Sequence, residues 1–449
     1  MSDRRMHLGL FVLNTGHHIA SWRHPGTRPA AQPPFAELLK VAKTAERGLF
    51  DVFFLADSAA VPDMPPEILA RTDRMAFIEP ATTAAAIAAG TEKIGLVITQ
   101  NTTYDHPYYV ARRVLSIDHI SGGRMGCNFV TGVSRGEARN FGHDDLPPHA
   151  ERYERAAEFC DVALGLWDSY DPDAYLIDRA SGRFMDPSGI HVLDHRGKHF
   201  AVRGPLNVGP SPQGRPVVVQ AGGSEAGRAL AARTADMVYS VQGDLTEAVA
   251  FADDLRNRLV AAGRAPDALK IMPGLLAFVG RTRAEAEDKF GALQSLLDPT
   301  LAVAFLQMLV GRDVDLSRYR LDETLPQDLT TNFGSTQLKI LQQATRTKGM
   351  TLAELARHAV GARGHWMVCG TAADIADQME ERFRAGAADG FNLMPATIPG
   401  GVEDFVDMVV PELQRRGLFR TRYEGDTLRD HLGLPRPASR WAPPAEMRA

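Results

Sequence analysis

From residue 7 onward, short runs rich in β-branched and aromatic residues alternate with stretches whose apolar residues recur at helical spacing. That rhythm constrains the fold more than any other feature, because parallel strands joined by crossover helices are its simplest outcome. The strand-like runs are "HLGLFV", "DVFFLAD", "KIGLVITQ", "RMGCNFVTG", "PVVVQAG", "DMVYSV", "LKIMPGLLAFVG" and "FNLMPA", each followed by a helical pattern. Eight such pairs favour an α/β fold of the closed (β/α)₈ TIM-barrel type over an open doubly wound sheet, and no G-x-G-x-x-G follows any run.

Two segments break the rhythm. Residues 171–214, after the fourth strand and its helix, are rich in Asp, Pro, Gly and His and predict a surface insertion with a hairpin around "SGRF" or "HRGKHF". Residues 299–364, after the seventh strand, predict a mainly helical lid or rim. The polar, Pro-rich tail from Thr421 to the end of the chain is expected to pack loosely or to reach a neighbouring subunit. Residues 1–449 are expected to form a single barrel domain carrying these insertions.

In barrels of this type the active site lies at the C-terminal ends of the strands, so polar residues ending apolar runs are the candidates. Asp57 ends the second run, where it either accepts hydrogen bonds from a ligand or caps the next turn. The third run leaves Gln100, Asn101, Thr102 and Thr103, the fourth Asn128 and Thr131, and the fifth Gln220. A lining of amides and hydroxyls suits a neutral heteroaromatic ring better than hydrolysis by paired carboxylates. Gly222, Gly223 and Ser224 precede a helix, either as a phosphate site at its N-terminus or as a plain serine cap. His149 and Tyr153, four residues apart at the start of a helix, face the same way; the alternative is a solvated histidine beside a first core contact.

The loop "GHHIASWRHP" invites a metal reading, but its adjacent histidines diverge and no Asp/Glu/His set elsewhere completes a site, so no metal is expected. The loop more readily faces substrate or a lid, with Trp22 as an apolar wall and Arg23 available to an anion. No G-x-S-x-G appears to support covalent acyl chemistry. A net charge of -5 without any Lys/Arg block argues against nucleic acid and anionic membranes as partners. The three cysteines, Cys127, Cys160 and Cys369, lack metal spacing. With no secretion signal or membrane-spanning run read in the chain, a reducing cytoplasm is the expected compartment.

Taken in order, "GHHIASWRHP", "AERGLFDVFFLAD", "EPATTAAAIAAGTEKIGL", "TTYDHPYYVARR", "SIDHISGGR", "NFVTG", "ERYERAAEF", "QAGGSEAGR" and "GTAADIADQMEERFRAGAADGFNLMP" carry a resemblance over roughly residues 7 to 420. The chain resembles the bacterial-luciferase-like flavin monooxygenases, in the branch of the nitrilotriacetate, EDTA and dibenzothiophene-sulfone monooxygenases, and is similar to long-chain alkane monooxygenase. The resemblance implies an FMN-dependent monooxygenase of a two-component system. Reduced FMN would come by diffusion from a separate NADH-dependent reductase and react with O₂ to a flavin hydroperoxide that oxygenates a small organic substrate. It implies a homodimer or homotetramer. By motif it places Asp57, Thr103, Asn128, His149, Tyr153, Gly223 and Ser224 at the flavin, with Gly223 and Ser224 at its phosphate and His149 as the candidate for proton transfer.

Two departures stand out. The fourth strand reads "CNFVTG" where "WNVVTS" is usual, so Cys127 is expected to leave space near the flavin unless Phe129 repacks; Gly223 stands where a second serine is usual. The rival readings are a deazaflavin- or flavin-dependent oxidoreductase on the same barrel without oxygen insertion, and a flavin-binding protein without turnover.

Overall fold

A computed structural model of the chain describes residues 4–31, 34–311, 314–331, 335–362 and 364–441. Eight parallel strands close into a barrel: β1 (His7–Val12), β2 (Val52–Leu55), β3 (Gly95–Asn101), β4 (Met125–Val130), β5 (Val217–Gln220), β6 (Met237–Ser240), β7 (Lys270–Val279) and β8 (Gly390–Leu393). Gly9 of β1 sits in register with Val52 on one side and Asn392 on the other, and Met237 of β6 pairs with Lys270 of β7, which completes the ring.

Side chains alternate across the barrel wall with the two-residue period of a strand. Phe11, Phe54, Val97, Val219 and Met272 fill the inside, while Leu10, Phe53, Ile98, Cys127 and Phe129 meet the helices outside. Helix starts follow local chemistry. Glu79 accepts from the backbone N–H groups of Ala81 and Thr82 ahead of Pro80–Gly90, and Thr371 and Asp374 form the expected capping box.

One strand was not legible in the sequence. Trp366–Gly370 pairs with Leu275–Val279, the far half of β7, as a ninth strand outside the ring. The ten-residue β7 outruns β6, which pairs with Lys270–Pro273, and β8, which pairs with Gly274 and Leu275, so the rest of its far half would otherwise present an open edge.

The first insertion forms a hairpin at each of the two places where the sequence offered one, Tyr175–Asp178 with Arg183–Met185 and His195–Arg196 with Ala201–Val202. The second is helical, with Pro299–Val310, Ser335–Lys348 and Leu352–Ala362. Its own apolar core of Leu301, Phe305, Leu341 and Leu355 also takes in Ile19 and Ile68 from loops at the barrel mouth, which sets it over that mouth.

The tail corrects the expectation of loose packing. Leu428, Leu432 and Leu434 enter the same cluster as the barrel's inner residues, and Arg429 pairs with Asp236 at 2.7 Å. Leucines spaced along an otherwise polar segment are what close this face. Among the described residues no single helix is long and apolar enough to cross a membrane.

Candidate active site

The most closely connected part of the site surrounds Ser224. Its side chain caps the helix Glu225–Thr234 by accepting from the Gly227 backbone N–H at 3.2 Å, and it donates to the Tyr153 hydroxyl at 3.4 Å. A Cβ on Gly222 would lie 2.8 Å from the Gly227 Cα and 3.2 Å from the Tyr153 hydroxyl, so the loop needs glycine there to approach the helix. Tyr153 stands one turn into the helix His149–Trp167, and the His149 ring packs against it with centroids 4.7 Å apart. Partial burial, with Arg152 nearby, lowers the His149 pKa and favours the neutral imidazole at neutral pH.

His149, Gly223 and Ser224 share a cleft of about 1310 Å³ with Tyr239, Ser240 and Gln242 from the end of β6. Facing them, Lys339, Gln343 and Arg346 come from one side of the lid helix Ser335–Lys348. The β6 residues were missed in the sequence, although the strand-end argument that picked out Asp57 applies equally to "YSV".

Asp57 lies just beyond β2 on a second chamber of about 370 Å³, among Phe11, Leu13, Phe77 and Phe305. Burial, with the charges of Glu79 and Glu137, pushes its carboxyl up to about 6. Phe11 of this chamber meets Tyr239 of the cleft edge-to-face at 5.3 Å, so the two linings are in contact there.

Thr103 and Asn128 are placed differently. Thr103 borders a separate pocket of about 190 Å³ beside Arg152 and Arg155, and its hydroxyl donates to the Thr131 carbonyl at 2.7 Å. Asn128 is buried; its Nδ2 donates to Thr99 Oγ1 at 3.1 Å, and its Oδ1 has no hydrogen-bond partner. The Ser240 hydroxyl is buried without a partner as well. Unmet polar atoms on two barrel strands, Asn128 in β4 and Ser240 at the end of β6, suit a ligand with hydrogen-bonding edges.

In the histidine-bearing loop, exposed Arg23 donates to the Leu296 carbonyl and Trp22 Nε1 donates to the Arg71 carbonyl at 3.3 Å, so both side chains tie the loop to its neighbours.

Against known proteins, the luciferase-like monooxygenase family matches residues 14–389. The chain belongs to that family. It is 42% identical, across 98% of its own length and 99% of the relative's, to the N-acetyl-S-(2-succino)cysteine monooxygenase of Bacillus subtilis (strain 168). It is also 42% identical, across 99% and 100%, to nitrilotriacetate monooxygenase component A of Aminobacter aminovorans. Among solved structures, a riboflavin lyase crystallised with modified FMN and riboflavin superposes with a TM-score of 0.86 at 32% identity, covering 96% of each chain. This luciferase-like chain is a flavin-dependent monooxygenase.

Seen within the family, the fourth-strand departure acquires a physical explanation. Cys127 is fully buried on the helix side of the wall, and Phe129 beside it packs on Phe159 at 5.5 Å and stacks with Trp167 at 6.2 Å. Asn128 between them faces inward, so a small residue at 127 opens no space at the barrel mouth. Gly132 adopts φ +67°, and a Cβ there would meet Asn101 Nδ2 at 2.6 Å and Glu137 Oε2 at 3.2 Å.

Proposed function

We propose that this chain is the oxygenating component of a two-component system, taking reduced FMN from a separate NADH-dependent reductase and using O₂ to insert one oxygen atom into a small organic substrate. The observation that carries the reading is the cradle at the N-terminus of Glu225–Thr234, where Ser224, Tyr153 and His149 meet beside a large cleft whose Tyr239 touches Phe11 of a mostly apolar chamber. Support comes also from two relatives: one is named as a component A, and another was crystallised with a modified FMN.

The residues fit the cofactor. Gly223 and Ser224 would hold the phosphate at a helix N-terminus, with one hydroxyl fewer than a serine at 223 would give. Asn128 offers an unspent buried acceptor for a ring N–H, and Ser240 an unspent hydroxyl. When bound, reduced flavin supplies the oxygen activation. The chain's own part is to bind, orient and keep water away, and a mostly apolar chamber is suited to that. His149, neutral at pH 7, would hold or pass a proton beside Tyr153.

The test is anaerobic titration with FMN, reduced FMN and riboflavin, followed by oxygen uptake with a generic flavin reductase. Tighter binding of reduced FMN than of riboflavin, and oxygen consumption with substrate, are expected. Binding of flavin without oxygen uptake would leave a storage protein or an oxidoreductase without oxygen insertion.

A further inference from the structure

One charged group at the barrel mouth plays no part in the reading above. Arg74 lies in the loop after β2, on the wall of the 370 Å³ chamber, and is 8% exposed. Its guanidinium is only partly satisfied. Nη2 donates to the carbonyls of Gly16 and His18, Nε lies 3.7 Å from Asp73 Oδ1, and Nη1 has no hydrogen-bond partner. Asp73 accepts from the Thr15 hydroxyl at 2.7 Å through Oδ2, while its Oδ1 has no hydrogen-bond partner and meets Arg74 only as an ion pair, leaving the guanidinium with a counter-charge but no carboxylate hydrogen bond.

The surroundings make this cation unusual. Phe11, Leu13, Phe77, Phe305, Met308 and Leu309 supply an apolar lining in which an unmet charged donor is costly. A methionine or leucine would fill the same space without that cost. The two carboxylates on the chamber are placed less favourably to compensate: Asp63 is exposed, and the side-chain charges acting on half-buried Asp57 come from Glu79, Glu137 and Asp105, not from Arg74. A planar guanidinium with a free nitrogen matches the geometry of a carboxylate.

We propose that Arg74 is a specificity-determining residue that receives a carboxylate, so that the chamber selects a small, mostly apolar substrate carrying one anionic end. This rests on the reading of the chamber beside Asp57 as the substrate site.

The test is calorimetric titration of wild-type, Arg74→Met and Arg74→Lys proteins with phenylthio-propanoate and its methyl ester as probes, without flavin and again with FMN. Wild type is expected to bind the acid roughly tenfold or more tightly than the ester, the size of one charge-assisted hydrogen bond. Arg74→Met should lose the preference and Arg74→Lys keep part of it, with FMN affinity equal in all three. Equal binding of acid and ester by wild type, no binding of the acid at millimolar concentration, or an intact preference in Arg74→Met would each overturn the proposal. If Arg74→Met does not fold, wild type and Arg74→Lys decide. Failure of FMN to bind wild type would count against the proposed function alone, because the contrast between acid and ester is also read on flavin-free protein.

Discussion

The Ser224 hydroxyl does two things at once, accepting from Gly227 N–H at 3.2 Å and donating to Tyr153 OH at 3.4 Å. Ser224→Ala removes both, and loss of the cap alone costs about 0.5–2 kcal/mol. Tyr153→Phe leaves the cap in place. Thermal unfolding should therefore separate the two variants, with only Ser224→Ala less stable. Flavin-fluorescence titration should show both weakening FMN more than riboflavin, because the change falls at the phosphate end.

Asp57 gives a pH signature. Its carboxyl is raised from 3.8 to about 6 by burial and by Glu79 and Glu137. A raised acid binds its proton more tightly in the folded state than in the unfolded one, so its contribution to stability falls as pH rises between those values and the loss is complete above them. Asp57→Asn cannot ionise. The variant should match wild type near pH 4 and melt higher than wild type at pH 7.5, as measured by calorimetry at both pH values. An unchanged difference across that range would show that Asp57 titrates normally.

How much of this was legible in sequence depends on whether local chemistry or distant contact fixes each residue. The eight barrel strands and Ser224 announce themselves through periodicity and capping, which are local. Both hairpins of the first insertion follow from their turn residues. Trp366–Gly370 did not announce itself, because it forms a strand only where β7 outruns its neighbours. Arg74 carried no signal either. A lone arginine in a loop becomes notable only when Gly16, His18 and the lid's Phe305 close around it. Arg23, by contrast, stood out by its position, and the structure adds a contact the sequence could not show, its bond to the distant Leu296 carbonyl.

Two residues beyond β4, Gly132 lies in the left-handed region, with Asn101 Nδ2 and Glu137 Oε2 crowding the place of a side chain. Placing a serine at 132 is therefore expected to destabilise this chain. Left-handed backbone costs a side-chain-bearing residue about 1–2 kcal/mol, and Asn101, which donates to Glu137 at 3.3 Å, must also shift. Denaturant unfolding of Gly132→Ser should show that loss. The same variant made together with Asn101→Ala should recover the part due to crowding and leave the backbone part.

At the opposite end of the barrel, Arg420 pairs with the fully buried Asp51 and also donates to the His431 carbonyl, joining the tail to β1 and β2. Burial alone would raise the Asp51 carboxyl, but Arg420 and His7, with the Leu8 N–H, hold it below its ordinary value. A depressed acid contributes stability above its unfolded pKa and loses it as pH falls through the folded one, so this pair should weaken only in strong acid. Arg420→Met leaves Asp51 uncompensated, and breaking a buried pair from one side costs about 3–5 kcal/mol. Adding Asp51→Asn removes the stranded charge, so the double variant should be more stable than Arg420→Met alone. Urea unfolding of the three proteins checks this. Additive losses would mean that Asp51 is compensated by His7 and Leu8 without the tail.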